Sequence, residues 1–120
     1  MATPARFRAS SHLERRVLSA LLSAEFRGNA ALREQAKTAQ VRVIDADGSL
    51  EISAGEGPRA DVDQRVPIEG EIPDRDGIII HILLHVVDGN LNELEIYRED
   101  SGPIGREIDP DELQVIVVKI

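Results

Sequence analysis

Five residues in the second half of the chain are of types that do chemistry. His81 and His85 interrupt the apolar run from Ile78 to Val87, and Glu93, Glu95 and Tyr97 alternate with apolar residues between Leu91 and Arg98. On strands, alternate side chains share a face. His81, Leu83 and His85 then line one face, and Glu93, Glu95 and Tyr97 line the same face of the neighbouring strand. Leu94 and Ile96 have to point inward with Ile80, Ile82 and Leu84, on the side of Val66, Ile68 and Ile72. A three-residue loop, Val87-Asp88-Gly89 with Gly89 left-handed, meets that condition and sets His81 opposite Glu95. A two-residue loop would set Leu84 against Glu93 and Ile82 against Glu95, burying carboxylates.

A carboxylate beside an imidazole favours the protonated ring, and such a pair can exchange protons near neutral pH. His81, Glu95 and Tyr97 are therefore the candidate catalytic residues of a small hydrolase. His81, His85, Glu93, Glu95 and Tyr97 together are the candidate binding face. The competing reading is structural, since cross-strand pairs of opposite charge contribute about 0.2–1 kcal/mol each to ordinary sheets. No metal is expected: His81 and His85 stand about 13 Å apart along a strand and cannot share an ion, so a zinc site would need one histidine, Glu95 or Glu93, and a ligand from elsewhere. No cofactor is expected either.

Other motifs are weaker. Asp45-Ala46-Asp47-Gly48 and Asp74-Arg75-Asp76-Gly77 bring glycine at the fourth position rather than the sixth, between strand-like runs, and read as hairpin turns instead of calcium loops. Gly55-Glu56-Gly57 is followed by no helix that could help it hold a phosphate. No serine sits in a Gly-x-Ser-x-Gly elbow. His12 falls in a first helical turn, where solvent reaches it.

The elements that must position these residues follow from periodicity. Ser11-His12-Leu13-Glu14 has capping-box spacing, and Leu13, Val17, Ala20, Leu21 and Ala24 form one helical stripe. Gly28 is read as the stop of that helix, and Asn29 as the cap of a second one running to about Lys37. After residue 39 the period becomes two. A two-residue Asp47-Gly48 turn would put Val43 opposite Ile52 and Val41 opposite Ala54. Residues 55–64 read as a loop. In the next strand Pro67 suggests an edge, a bulge or an outward N–H, with Arg65, Pro67, Glu69 and Glu71 facing away from the core. Asp109-Pro110 opens one helical turn, and Val115 to Ile120 is a final strand, buried on both sides or at the sheet edge. The expected fold is α+β: a single domain, residues 1–120, with helices over about 11–37 packed on one face of a five- to six-stranded, mainly meandering antiparallel sheet over about 39–120.

Composition sets the outer limits. The chain has 120 residues, 42% of them hydrophobic, which suffices for a modest core. It has no cysteine, which excludes disulfides, thiolate metal sites and cysteine nucleophiles. Phe7, Phe26 and Tyr97 are its only aromatic residues and its net charge is −8, so nucleic acid is not an expected partner. The charge is split: residues 1–42 hold eight basic and three acidic residues, a net of +5, and the rest carries −13. No apolar run reaches a membrane span, and Met1-Ala2-Thr3-Pro4 does not open a signal peptide, so a cytoplasmic protein is expected. The outward strip of Ile79, Leu83 and Val87 needs a cover, for which the final strand, the 55–64 loop or a second copy in a homodimer are the candidates.

The segment Leu83 to Ile104, LLHVVDGNLNELEIYREDSGPI, resembles the signature of a small bacterial domain-of-unknown-function family of about this length. The match rests on His85-Val86-Val87-Asp88-Gly89 and on Glu93 through Asp100, roughly the last third of the chain. It implies an N-terminal helix followed by an acidic hairpin region, and assigns no catalytic residue. Two functions remain open. One is a non-enzymatic binding domain whose acidic sheet contacts a basic protein, as an immunity-like protein does. The other is the small hydrolase built on His81, Glu95 and Tyr97.

Overall fold

The structure, a computed structural model, describes residues 5–119. The expectations for Met1–Pro4 and Ile120 fall outside the described residues. Ser11 caps the first helix, α1 (His12–Leu22), by the capping box its spacing predicts: Glu14 N–H donates to Ser11 Oγ at 3.1 Å and Ser11 N–H to Glu14 Oε1 at 2.7 Å. Before it lies a two-residue strand, β1 (Arg8–Ala9), from which Arg8 forks onto both oxygens of Glu14. α1 stops at Leu22, well before Gly28, and α2 spans Asn29–Ala36. Gly28 thus caps the start of α2 instead of ending α1. Its φ of +94° and its closeness to Val62 and the Asp61 carbonyl leave no room for a side chain. Asn29 lies inside α2 and turns its amide back to the Ala24 carbonyl at 2.8 Å.

Among the described residues the sheet has seven strands, one or two more than expected, all paired antiparallel in the order β1-β2-β3-β6-β5-β4-β7. The ranges are β2 (Gln40–Val43), β3 (Leu50–Ser53), β4 (Ile68–Pro73), β5 (Ile79–Val87), β6 (Asn90–Arg98) and β7 (Gln114–Val117), the last entered through a 3₁₀ turn at Pro110–Glu112. β4, β5 and β6 form a meander; the β2–β3 hairpin attaches to β6, and β7 returns to pair with β4. Val17, Leu18, Leu21, Leu22 and Leu32 from the helices bury against Ile68, Ile72, Ile80, Ile82, Leu84, Leu94 and Ile96. Each such side chain contributes about 1.5–3 kcal/mol of burial. Gly70 marks how closely α1 approaches: a Cβ there would lie 3.3 Å from the side chains of Leu21 and Leu113.

Two expected registers change, and Pro67 takes a different place. Val41 pairs with Ile52 and Val43 with Leu50, two residues from the expected alignment, because Ile44 N–H bonds to the Ser49 carbonyl and closes a four-residue turn. A shift of two preserves facing. In the second hairpin the loop is the two-residue Asp88-Gly89, both left-handed at φ 52° and 77°. The parity that a three-residue loop would have supplied comes from a bulge: His85 pairs with Glu93 and Val86 with Leu91, leaving Asn92 as the extra residue. Pro67 does not mark an edge, for β4 is interior. It stands opposite Val118, whose N–H bonds to the Pro67 carbonyl, and the proline's missing donor is replaced by Gln64 Nε2, 2.7 Å from the Val118 carbonyl. β7 lies at the sheet edge, half-exposed, the second of the two expected alternatives.

Where β3 leaves β6, Ser49 continues the bonding. Its buried hydroxyl accepts from Ile96 N–H at 2.8 Å and donates to the Ile96 carbonyl at 3.1 Å. Ser49→Ala is expected to cost about 1–2 kcal/mol in urea unfolding, because two buried backbone groups lose one partner.

Candidate functional site

The helices cover one face of the sheet, and the other carries the acidic residues. The alternation of β5 and β6 points His81, Leu83, His85, Glu93, Glu95 and Tyr97 to this outer face, as their spacing predicts, and all six are half-buried. Neither the final strand nor the 55–64 loop covers the face: β7 pairs at the edge, and Gly55 and Gly57 pack against Gln35 and Glu34 of α2.

The expected His81–Glu95 pair does not form. With the bulge at Asn92, the partner opposite His81 is Tyr97, and the two rings stack at 5.1 Å with planes 20° apart. His81 Nε2 lies 3.0 Å from Glu99, and its Nδ1 is 3.8 Å from Glu71 on β4. Glu95 reaches diagonally to His85 instead, 2.8 Å from Nε2. Arg65 Nε donates to His85 Nδ1 at 2.9 Å. An arginine only donates, so Nδ1 is the acceptor and Nε2 carries the hydrogen that goes to Glu95. Both ring nitrogens of His85 are engaged by protein groups, and neither is left to take a proton from a substrate.

His85, Glu93 and Glu95 bring one ligating atom each within 4.8 Å of one another. A metal at Nε2 needs a lone pair there, whereas the Arg65 contact puts the ring hydrogen on that nitrogen. As arranged, the trio offers a cation two carboxylates and no free imidazole nitrogen.

Arg65, Glu69, Glu71 and Glu99 extend the site beyond the five residues expected. Glu69 and Glu71 stand opposite Leu83 and His81, and Glu51 stands opposite Glu93 on the far side of β6. Arg65, Glu69 and Glu71 already show as outward positions in the alternation before Ile72, but their meeting with the histidines depends on strand order. Six carboxylates (Glu51, Glu69, Glu71, Glu93, Glu95, Glu99) thus surround Leu83, His81 and Tyr97. Among the described residues, Arg42 at one rim pairs with Glu51 and stacks over Phe7, and Arg65 sits at the other. Burial pushes the Tyr97 hydroxyl up from its usual range, and the charges of Glu95, Glu69, Glu99 and Glu71 push it the same way. One surface cleft lies beside Phe26 and Val118 and another between Leu13 and Ile108, each lined by residues outside this group.

Among the described residues, no helix is long and apolar enough to cross a membrane. No curated protein and no solved structure matches the chain. The resemblance carried by the β5–β6 hairpin extends over almost the whole length: the family model described as Domain of unknown function (DUF6984) matches residues 7–117, and the chain belongs to that family.

Proposed function

We propose that the chain is a non-enzymatic binding domain whose outer sheet face docks a basic protein. The observation that carries this reading is the ring of six glutamates around half-buried Leu83, His81 and Tyr97. An aromatic and aliphatic centre inside a charged rim is the anatomy of a protein interface. A predominantly acidic face, with Arg42 and Arg65 only at its rims, also steers a basic partner into encounter. Neutralisation of a basic toxin is one form such binding takes. A cytoplasmic setting goes with it, and the cysteine-free composition suits that setting.

The same charge argues against a second copy as the occupant of this face, because a two-fold dimer would oppose twelve carboxylates across a desolvated contact. The hydrolase reading loses its pair, since Glu95 binds His85 and not His81. Both ring nitrogens of His85 are engaged, by Arg65 and by Glu95.

The test is an array of basic folded domains and Lys/Arg-rich peptides, probed with the purified protein. Binding is expected to weaken steeply with salt. Glu69→Lys/Glu71→Lys/Glu95→Lys is expected to weaken it by about a hundredfold. The equally charged control Glu25→Lys/Asp47→Lys/Glu56→Lys, away from the outer sheet face, is expected to change it by less than about threefold. Equal losses in the two variants, or no bound probe at low salt, would refute the reading.

A further inference from the structure

We propose that β7 is a dimerisation edge, along which two copies of the chain pair antiparallel about a two-fold axis at Ile116. The register shows which backbone groups are free. Val118 N–H bonds to the Pro67 carbonyl, and the β4–β7 alignment continues through Glu69–Ile116 and Glu71–Gln114. Antiparallel ladders alternate bonded and non-bonded pairs, so Gln114, Ile116 and Val118 turn their N–H and C=O groups toward β4. Val115 and Val117 turn theirs toward the open side. None of these four groups has a partner among the described residues.

The two ends of the sheet are built differently. β1 is two residues long, exposed, and carries Arg8; shortness and charge are how proteins keep an edge from pairing. β7 reads Gln-Val-Ile-Val, with three β-branched residues, no charge and no proline, and therefore lacks both defences.

The strand is also complementary to itself. About Ile116, Val115 of each copy faces Val117 of the other, and every outward N–H and C=O finds a partner. Ile116 meets its equivalent as a non-bonded pair, with Cα atoms about 4.5 Å apart. Lys119 falls opposite Leu113 of the second copy, next to the acidic turn that holds Asp111 and Glu112. The nearest carboxylate rows, at Glu69 of each copy, stand three strand spacings apart, about 14 Å. That exceeds the Debye length of about 8 Å at physiological salt, so the acidic faces do not oppose this dimer. They become one continuous surface on a fourteen-stranded sheet. A contact this short belongs to the weak class, and association is expected at about 10–100 μM.

Cysteine crosslinking tests the register, because the native chain has none. Ile116→Cys, oxidised at about 100 μM, is expected to form a covalent dimer in most of the sample, since non-bonded strand pairs lie within disulfide reach. Val43→Cys, at a position that is 45% exposed, is expected to stay largely monomeric. In light scattering the wild-type mass should rise from 13.2 kDa toward twice that value, while Ile116→Lys holds the monomer mass. The lysine pairs with Glu69 across β4, so the variant should melt no lower than the wild type. Equal crosslinking at both cysteines, or a wild-type mass that stays monomeric up to 1 mM, would overturn the proposal. Capture of an extended peptide on the edge of a strictly monomeric chain would overturn it too.

Discussion

Replacing Gln35 by leucine is expected to lower the unfolding free energy by about 3 kcal/mol. The side chain is fully buried on α2 and binds three places at once. Its Nε2 donates to the carbonyls of Pro58 and Gly89, both at 2.9 Å, and its Oε1 accepts from Leu91 N–H at 2.9 Å. β3 pairs with β6 only at Leu50 and Glu51, so at Leu91 the amide of Gln35 takes the place of a missing strand. Leucine fills nearly the same volume, which removes the cavity contribution and isolates the hydrogen bonds. Gly89 keeps a donor in Ala60 N–H at 2.8 Å. The Pro58 carbonyl, on an exposed residue, loses its donor, while the buried Leu91 N–H loses its acceptor and, left unpaired, costs about 1–3 kcal/mol. Gln35→Glu is expected to be no better, because it sets a carboxylate against two carbonyls. Urea unfolding with an unchanged m-value is the measurement. A loss below about 1 kcal/mol would show that water or a shifted backbone replaces the amide.

Arg98→Met is expected to change how stability depends on pH. Arg98 binds Asp74 at 3.0 Å, Asp76 at 2.6 Å and Asp100 at 2.8 Å, and joins the β4–β5 turn to the end of β6. Asp74 is held below the usual carboxylate range first by Gly105 N–H, then by Arg75 N–H and Arg98. Asp76 is lowered chiefly by Arg98, and Asp100, chiefly by the same guanidinium, falls from 3.8 to about 2. A carboxyl lowered in the folded state contributes stability that is present above its unfolded value and lost as pH falls through its folded value. The difference between wild type and Arg98→Met is therefore expected to be full above pH 5 and to close between about pH 4 and 2. Asp74 keeps its two backbone donors, so the variant retains a smaller acid dependence. Urea titrations at unit steps from pH 2 to 7 read this out, and a gap independent of pH would contradict it.

Some of this architecture is legible one turn at a time. The Ser11–Glu14 box and the Asp109-Pro110 turn hold their form because every partner lies within three residues. The outward placement of His81, His85, Glu93, Glu95 and Tyr97 is legible as well, since it depends only on a period of two. The demand that Leu94 and Ile96 face inward is equally sound. Where the extra residue enters is not, because a three-residue loop and a bulge at Asn92 satisfy the same parity. The two differ by two residues of register, which decides whether His81 stands opposite Glu95 or Tyr97.

From the residues alone come the α+β class, two helices, the faces of the strands and the acidity of the outer one, because local periodicity and composition carry that information. The order of the strands, the pairing of Glu95 with His85, the capture of Leu91 by Gln35 and the open side of β7 come only from the folded chain. Each depends on contacts between residues far apart in sequence, and hydrophobic alternation is indifferent to which of several equally apolar strands lies alongside.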